Sequence, residues 1–170
     1  MTDHRDELNH QTALTRRFFL GISAVAALAP AMIALRAVPA RAASKPRVFT
    51  GLIDGVGAGG YDVVAYFTQG AAVPGDAAIT AGHDGATWRF ASAENRDTFL
   101  ADPAKYAPQY GGYCAYAASK GATASGDPQA WTVHEGKLYL NYSTQVRSIW
   151  SGDKPGNIAK ADANWPRILE

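Results

Sequence analysis

Apolar residues fall along this chain in one long block near the front and in short bursts afterwards. The first fifteen residues are polar, and Phe18 to Leu35 is then mostly apolar. Beyond Ala42 the bursts are a few residues long and are separated by glycine, proline and aspartate. Tyr61-Asp62-Val63-Val64-Ala65-Tyr66-Phe67, between Gly60 and Gly70, reads as a short strand by its β-branched and aromatic content, with a helix as the alternative. Asp62 at its start suits a cap or a turn, or could face a pocket. Residues 71 to 82 read as loop and extended chain around Pro74-Gly75-Asp76. His83-Asp84-Gly85 predicts a tight turn into Ala86–Phe90, a half-buried strand with Trp88 and Phe90 on either side of Arg89.

Ser92, with Glu94 behind it, opens a helix that carries Phe99 and Leu100 on its apolar face. Asp102-Pro103 closes it, because the residue before proline is pushed out of helical geometry. One more helical turn through Ala104, Lys105 and Tyr106 stops before Pro108. Ala115 to Ala118 is a further helical turn. Trp131–His134, Glu135-Gly136 and Lys137–Tyr142 predict a β-hairpin with a two-residue turn. Its buried face holds Trp131, Val133, Leu138, Leu140 and Tyr142, and His134 lies on the other face. Ser143 caps a helix with Val146, Ile149 and Trp150, and Pro155 opens a last helix that ends near Trp165-Pro166. No internal repeat is expected. The predicted class is α+β: a small single domain of short antiparallel strands in hairpins and several short helices.

The front block changes the picture of the whole chain. Arg16-Arg17-Phe18-Phe19-Leu20, the apolar run and Ala40-Arg41-Ala42 have the layout of an export signal, and the paired arginines resemble a twin-arginine address. The expected organisation is therefore a removed twin-arginine signal over 1–42, a flexible lead-in over 43–60 and a folded domain over 61–170. A retained membrane anchor is the alternative reading of the apolar run, which is just long enough to span a bilayer. The twin-arginine resemblance implies folding before export, the translocation machinery as a partner during it, and a periplasmic destination. Five arginines against three acids give the first 42 residues a charge of +2, so the remainder of a chain of +1 carries −1. That balance argues against nucleic acid as a partner. Gly55-Val56-Gly57-Ala58-Gly59-Gly60 lacks the Lys-Ser/Thr that a phosphate-cradling loop needs.

Candidate chemistry gathers in Tyr106–Tyr116, which holds four tyrosines, the pair Gly111-Gly112 and Cys114, the only cysteine of the chain. Adjacent glycines allow positive φ and close backbone approach, and tyrosines supply apolar walls with a hydroxyl at the tip. A single cysteine excludes an internal disulfide. No catalytic constellation stands out. A cysteine nucleophile needs an activating histidine, and after the signal only His83 and His134 remain.

Trp88-Arg89-Phe90-Ala91-Ser92 through Phe99, with Asp102-Pro103 and Lys105-Tyr106 following, resembles the YHS domain. Gly60–Phe67, Tyr110–Ala115, Leu138–Tyr142 and Ala161–Pro166 are similar to exported bacterial YHS-domain proteins, and together these stretches span nearly all of the chain after its signal. The resemblance implies a YHS-type fold and metal handling. Metal-binding members carry cysteines around the Phe-x-Ser helix start, where thiolates gather on a soft metal; here Ala91 and Asn95 stand in those places.

Three functions follow. The first is an exported metal-handling or metal-sensing module centred on Cys114 with His83 as its partner ligand, for which a soft transition metal such as copper is the fitting cofactor. A closed zinc site is disfavoured, since it takes four Cys or His ligands and three remain after the signal. The second is a small-molecule or partner-binding module whose pocket is walled by Tyr61, Asp62, Tyr110, Tyr113 and Tyr116, with Cys114 simply buried. The third is a thiol redox enzyme, which lacks a resolving cysteine. The physiological partner is left open.

Overall fold

The computed structural model describes residues 44–170, so the export signal read over 1–42 lies outside the described residues. The order is a 3-10 turn (Gly57–Gly60), α1 (Ala65–Thr68), β1 (Asp76–His83), β2 (Ala86–Phe90), α2 (Ala93–Ala101) and α3 (Pro103–Tyr106). A second 3-10 turn (Gln109–Gly112) follows, then α4 (Ala115–Ser119), β3 (Asp127–His134), β4 (Lys137–Asn141), α5 (Thr144–Ser151), α6 (Lys154–Asn164) and a closing 3-10 turn, Arg167–Leu169. The strands pair only as two antiparallel hairpins, β1 with β2 and β3 with β4. This is the expected α+β class. Among the described residues no helix is long and apolar enough to cross a membrane.

Contrary to the expectation of no repeat, the two halves are copies of one unit. Ala58 and Gly59 sit at φ/ψ 48/32 and 58/22, and Tyr110 and Gly111 at 55/32 and 60/21. Gly60 and Gly112 both have φ 80. The amide of Asp62 donates to Val73 O and that of Cys114 to Ala124 O, each at 2.9 Å. Each hairpin has one register shift, between Asp76 and Thr80 and between Asp127 and Trp131. Both turn on a two-residue loop with positive φ, Asp84-Gly85 and Glu135-Gly136, the geometry whose twist matches the flanking strands. Ser92 caps α2 through Asn95 N and Ser143 caps α5 through Val146 N. Asp102 (φ −151, ψ 75) and Asp153 (φ −147, ψ 70) then cap α3 and α6.

Three further expectations are corrected. Tyr61–Phe67 is not a strand: Asp62 Oδ1 accepts from Val64 N at 2.9 Å and Ala65 N at 3.3 Å, which starts α1. Val63, Val64 and Ala65 are all fully buried, so the run has no solvent face to alternate with. The lead-in is not a flexible tether over its described part. Lys45 N donates to Leu169 O, Phe49 N to Gly111 O and Tyr113 Oη to Pro46 O, and Val48, Val56 and Ala58 are buried. Leu100, Tyr142 and Ile149 are exposed rather than core, because Phe99 and Trp150 fill the buried side of their helices and β4 ends before Tyr142.

Aromatic packing holds the first core: the Phe99 ring lies 5.5 Å from Trp88 and 5.2 Å from Phe90. Leu138 and Leu140 of the second hairpin join the same cluster, tying the two units together. A second cluster gathers Tyr110, Ala115, Ala118, Tyr139, Trp150 and Ala161. Burial pushes the phenols of Tyr66, Tyr110, Tyr113 and Tyr139 above the ordinary value of 10.0, and Asp162 adds to the effect at Tyr110 by accepting its hydroxyl proton. In the unfolded chain these phenols ionise near 10, whereas in the fold they stay protonated. Their contribution is complete below pH 10 and is lost as pH rises above it. The urea midpoint should therefore hold up to about pH 10 and fall progressively as pH rises above it, and Tyr110→Phe should make that fall shallower.

Candidate functional site

A cavity of about 260 Å³ opens between the lead-in, the first hairpin turn and the segment joining the two units. Arg47, His83, Asp84 and Gln109 supply its polar groups, while Trp88, Tyr110 and Trp165 supply aromatic wall. Its geometry follows from glycine. Gly111, at φ +60, lies so close to the lead-in that an added Cβ would collide with the carbonyl of Arg47. The Phe49 N to Gly111 O bond of 2.9 Å fixes that approach, which holds the Arg47 backbone against the cavity. From the other side the β1–β2 turn presents Asp84 at φ 50, a left-handed conformation that aspartate tolerates. Trp88 Nε1 donates to His83 O at 3.1 Å, and the His83 ring stands edge-on to Phe99 at 5.7 Å. The imidazole plane is thus set by packing.

Cys114 lies elsewhere, buried at the start of α4. Its sulfur accepts from Ala117 N at 3.4 Å and donates to Asn141 Oδ1 at 3.9 Å. Asn141 Oδ1 also accepts from Tyr116 N at 3.2 Å, which orients the amide and leaves Asn141 Nδ2 buried with no hydrogen-bond partner among the described residues. Asp62 occupies the corresponding place in the first unit. Its Oδ2 accepts from Ala91 N at 2.8 Å and Asn95 Nδ2 at 2.7 Å, in addition to the two amides that Oδ1 holds. All four of these donors belong to the fold, so Asp62 is a structural anchor. In the second unit the task is divided, with Cys114 taking the α4 amide and Asn141 the one before it.

His83 lines the cavity and Cys114 is not among its lining residues; the Cys114 sulfur meets Ala117 N and Asn141 Oδ1 instead. Among the described residues no three His, Cys, Asp or Glu side chains converge as a metal site would require. His134 lies 3.9 Å from Glu135 at the second hairpin turn. Nor do the tyrosines form one wall. Tyr110 lines the cavity, with its hydroxyl donating to Asp162 at 2.8 Å. Tyr113 faces a separate apolar hollow of about 360 Å³, against Phe49 at 5.3 Å. Tyr61 accepts from Gln129 Nε2 at 3.1 Å, and the Tyr116 ring lies under Lys120 Nζ at 4.9 Å.

Sequence reasoning passed over Arg47, Gln109 and Trp165. No motif marks them; the one available signal was Gly111, whose need for close approach implied a second strand of chain beside it. Because Cys114 caps a helix, Cys114→Ser should keep that bond and shift stability by no more than about 1 kcal/mol. Thermal melts would show it, with ligand binding at the cavity unchanged. Comparison with family models, with curated proteins and with solved structures returns no match to the chain.

Proposed function

We propose that the protein is an exported, YHS-type binding module that holds a small polar molecule in the cavity that Arg47 lines. The observation that carries this reading is the cavity itself: Arg47, His83, Asp84 and Gln109 line one space together with Tyr110 and Trp165. Concave sites with an apolar wall and a few placed polar groups are where small ligands bind, because the wall displaces water and the polar groups fix orientation. Arg47 and Asp84 are both exposed and are not joined by an ion pair among the described residues, so a ligand can reach either side chain. The export half of the reading rests on Arg16-Arg17-Phe18-Phe19-Leu20 and the apolar run after it.

Nuclear magnetic resonance of isotope-labelled protein, titrated with a library of small polar fragments, tests the site. Shift changes should cluster at the amides of Val48, Asp84, Gln109 and Gly111 and at the Trp165 indole, and Arg47→Gln should weaken the tightest binder about tenfold or more, the loss of a charge-assisted hydrogen bond. Fragments that perturb only the Tyr113–Phe49 hollow, or none that perturbs the cavity, would overturn the proposal.

A further inference from the structure

We infer that the ligand of this cavity is a small zwitterion of the α-amino acid type, with its carboxylate on Arg47 and its ammonium on Asp84; the inference rests on the cavity being a binding site. A guanidinium and a carboxylate line the same 260 Å³ space without pairing to each other among the described residues. Opposite charges left apart in one cleft suit a ligand that carries both signs, since each then gains a charge-assisted hydrogen bond. Both side chains are exposed, so a ligand with a single charge leaves the other hydrated and gains one charge-assisted hydrogen bond fewer.

Both charges are held on fixed backbone. The lead-in around Arg47 is pinned by Phe49 N to Gly111 O and by Tyr113 Oη to Pro46 O at 3.0 Å. Asp84 sits in a two-residue turn closed by Gly85 at φ 76. Fixed backbone at both positions leaves only the two side chains to be ordered on binding, which lowers its cost. Trp165 and Tyr110, with ring centroids 5.9 Å apart, offer apolar surface beside the charges for a side chain. A single amino acid fits within the volume.

Calorimetric titration with three matched probes separates the possibilities: L-leucine, 4-methylpentanoate, which lacks the amine, and 3-methylbutylamine, which lacks the carboxylate. Leucine should bind at least tenfold more tightly than either analogue. Arg47→Gln should bring leucine down to the level of the amine, and Asp84→Asn should bring it down to that of the carboxylate. If 4-methylpentanoate binds as tightly as leucine, and Asp84→Asn changes neither, the zwitterion inference fails while the cavity remains a binding site. If none of the three binds but polar fragments of another class shift the cavity resonances, the inference again fails alone. Silence from both probes and fragments removes the binding site as well. Thermal melts of both variants confirm that each is folded.

Discussion

Asp62→Ala should cost the domain on the order of 4 kcal/mol and leave much of the protein unfolded at moderate temperature. The carboxylate is fully buried and accepts from Val64 N, Ala65 N, Ala91 N and Asn95 Nδ2. Removing it strands two buried amide donors, Val64 N and Ala65 N, each costing about 1–3 kcal/mol when left without a partner, and takes the acceptor from the part-buried Ala91 N and Asn95 Nδ2, with incomplete additivity because α1 would relax. Against a total stability of about 5–15 kcal/mol for a domain, this is a large fraction. Urea unfolding measures the loss. Asp62→Cys is the informative companion, since the other unit carries a cysteine at the same place. It should remain severely destabilising, because a sulfur replaces one acceptor of the α1 amides but not the second oxygen that holds Ala91 and Asn95. An Asp62→Cys protein as stable as the parent would show that the two caps are interchangeable and that the four-donor account is wrong.

Gly111→Ala should be the second most damaging change, and it should strike the site as well as the fold. The methyl group would collide with the Arg47 carbonyl, and the backbone at φ +60 is one that residues with a side chain rarely adopt. The conformational penalty alone is about 1–2 kcal/mol, and relief of the collision requires the lead-in to leave. That would break Phe49 N to Gly111 O and carry Arg47 away from the cavity. We expect a lower melting temperature together with at least tenfold weaker ligand binding. The control is Gly136→Ala at the tip of the second hairpin, where φ is +71 but no atom lies within 4 Å of the added carbon. It should lose stability from conformation alone and keep the lead-in seated. Equal loss of binding in both variants would mean that the lead-in is not what shapes the cavity.

The duplication shows why part of this molecule could be read from its sequence and part could not. Residues with a backbone task recur openly: Gly59-Gly60-Tyr61 and Gly111-Gly112-Tyr113, His83-Asp84-Gly85 and His134-Glu135-Gly136, Ser92 and Ser143, Asp102 and Asp153. These are turns and caps, set by local chemistry, and the hairpin turns and the capping roles of Ser92 and Ser143 follow from the sequence directly. The packed residues do not recur, since Phe90 stands opposite Asn141 and Asp62 opposite Cys114 in the repeated unit. A side chain that must fill space answers to its neighbours, and the neighbours differ in the two halves. The repeat therefore hides when similarity is sought in the apolar pattern.

By itself the sequence determined the two hairpin turns, the caps that open α2 and α5, and the α+β class, because capping, turn conformation and apolar periodicity act over a few residues. Only the tertiary structure decided that the chain from Lys45 to Thr50 is bound to the body of the domain, that Cys114 spends its sulfur on a helix amide, and that Arg47, Asp84 and Gln109 share a cavity. Those facts depend on which backbones approach one another across long separations in sequence. Such approach is governed by the space glycines leave open and by which buried donors must be satisfied, and neither is written in the spacing of residues along the chain.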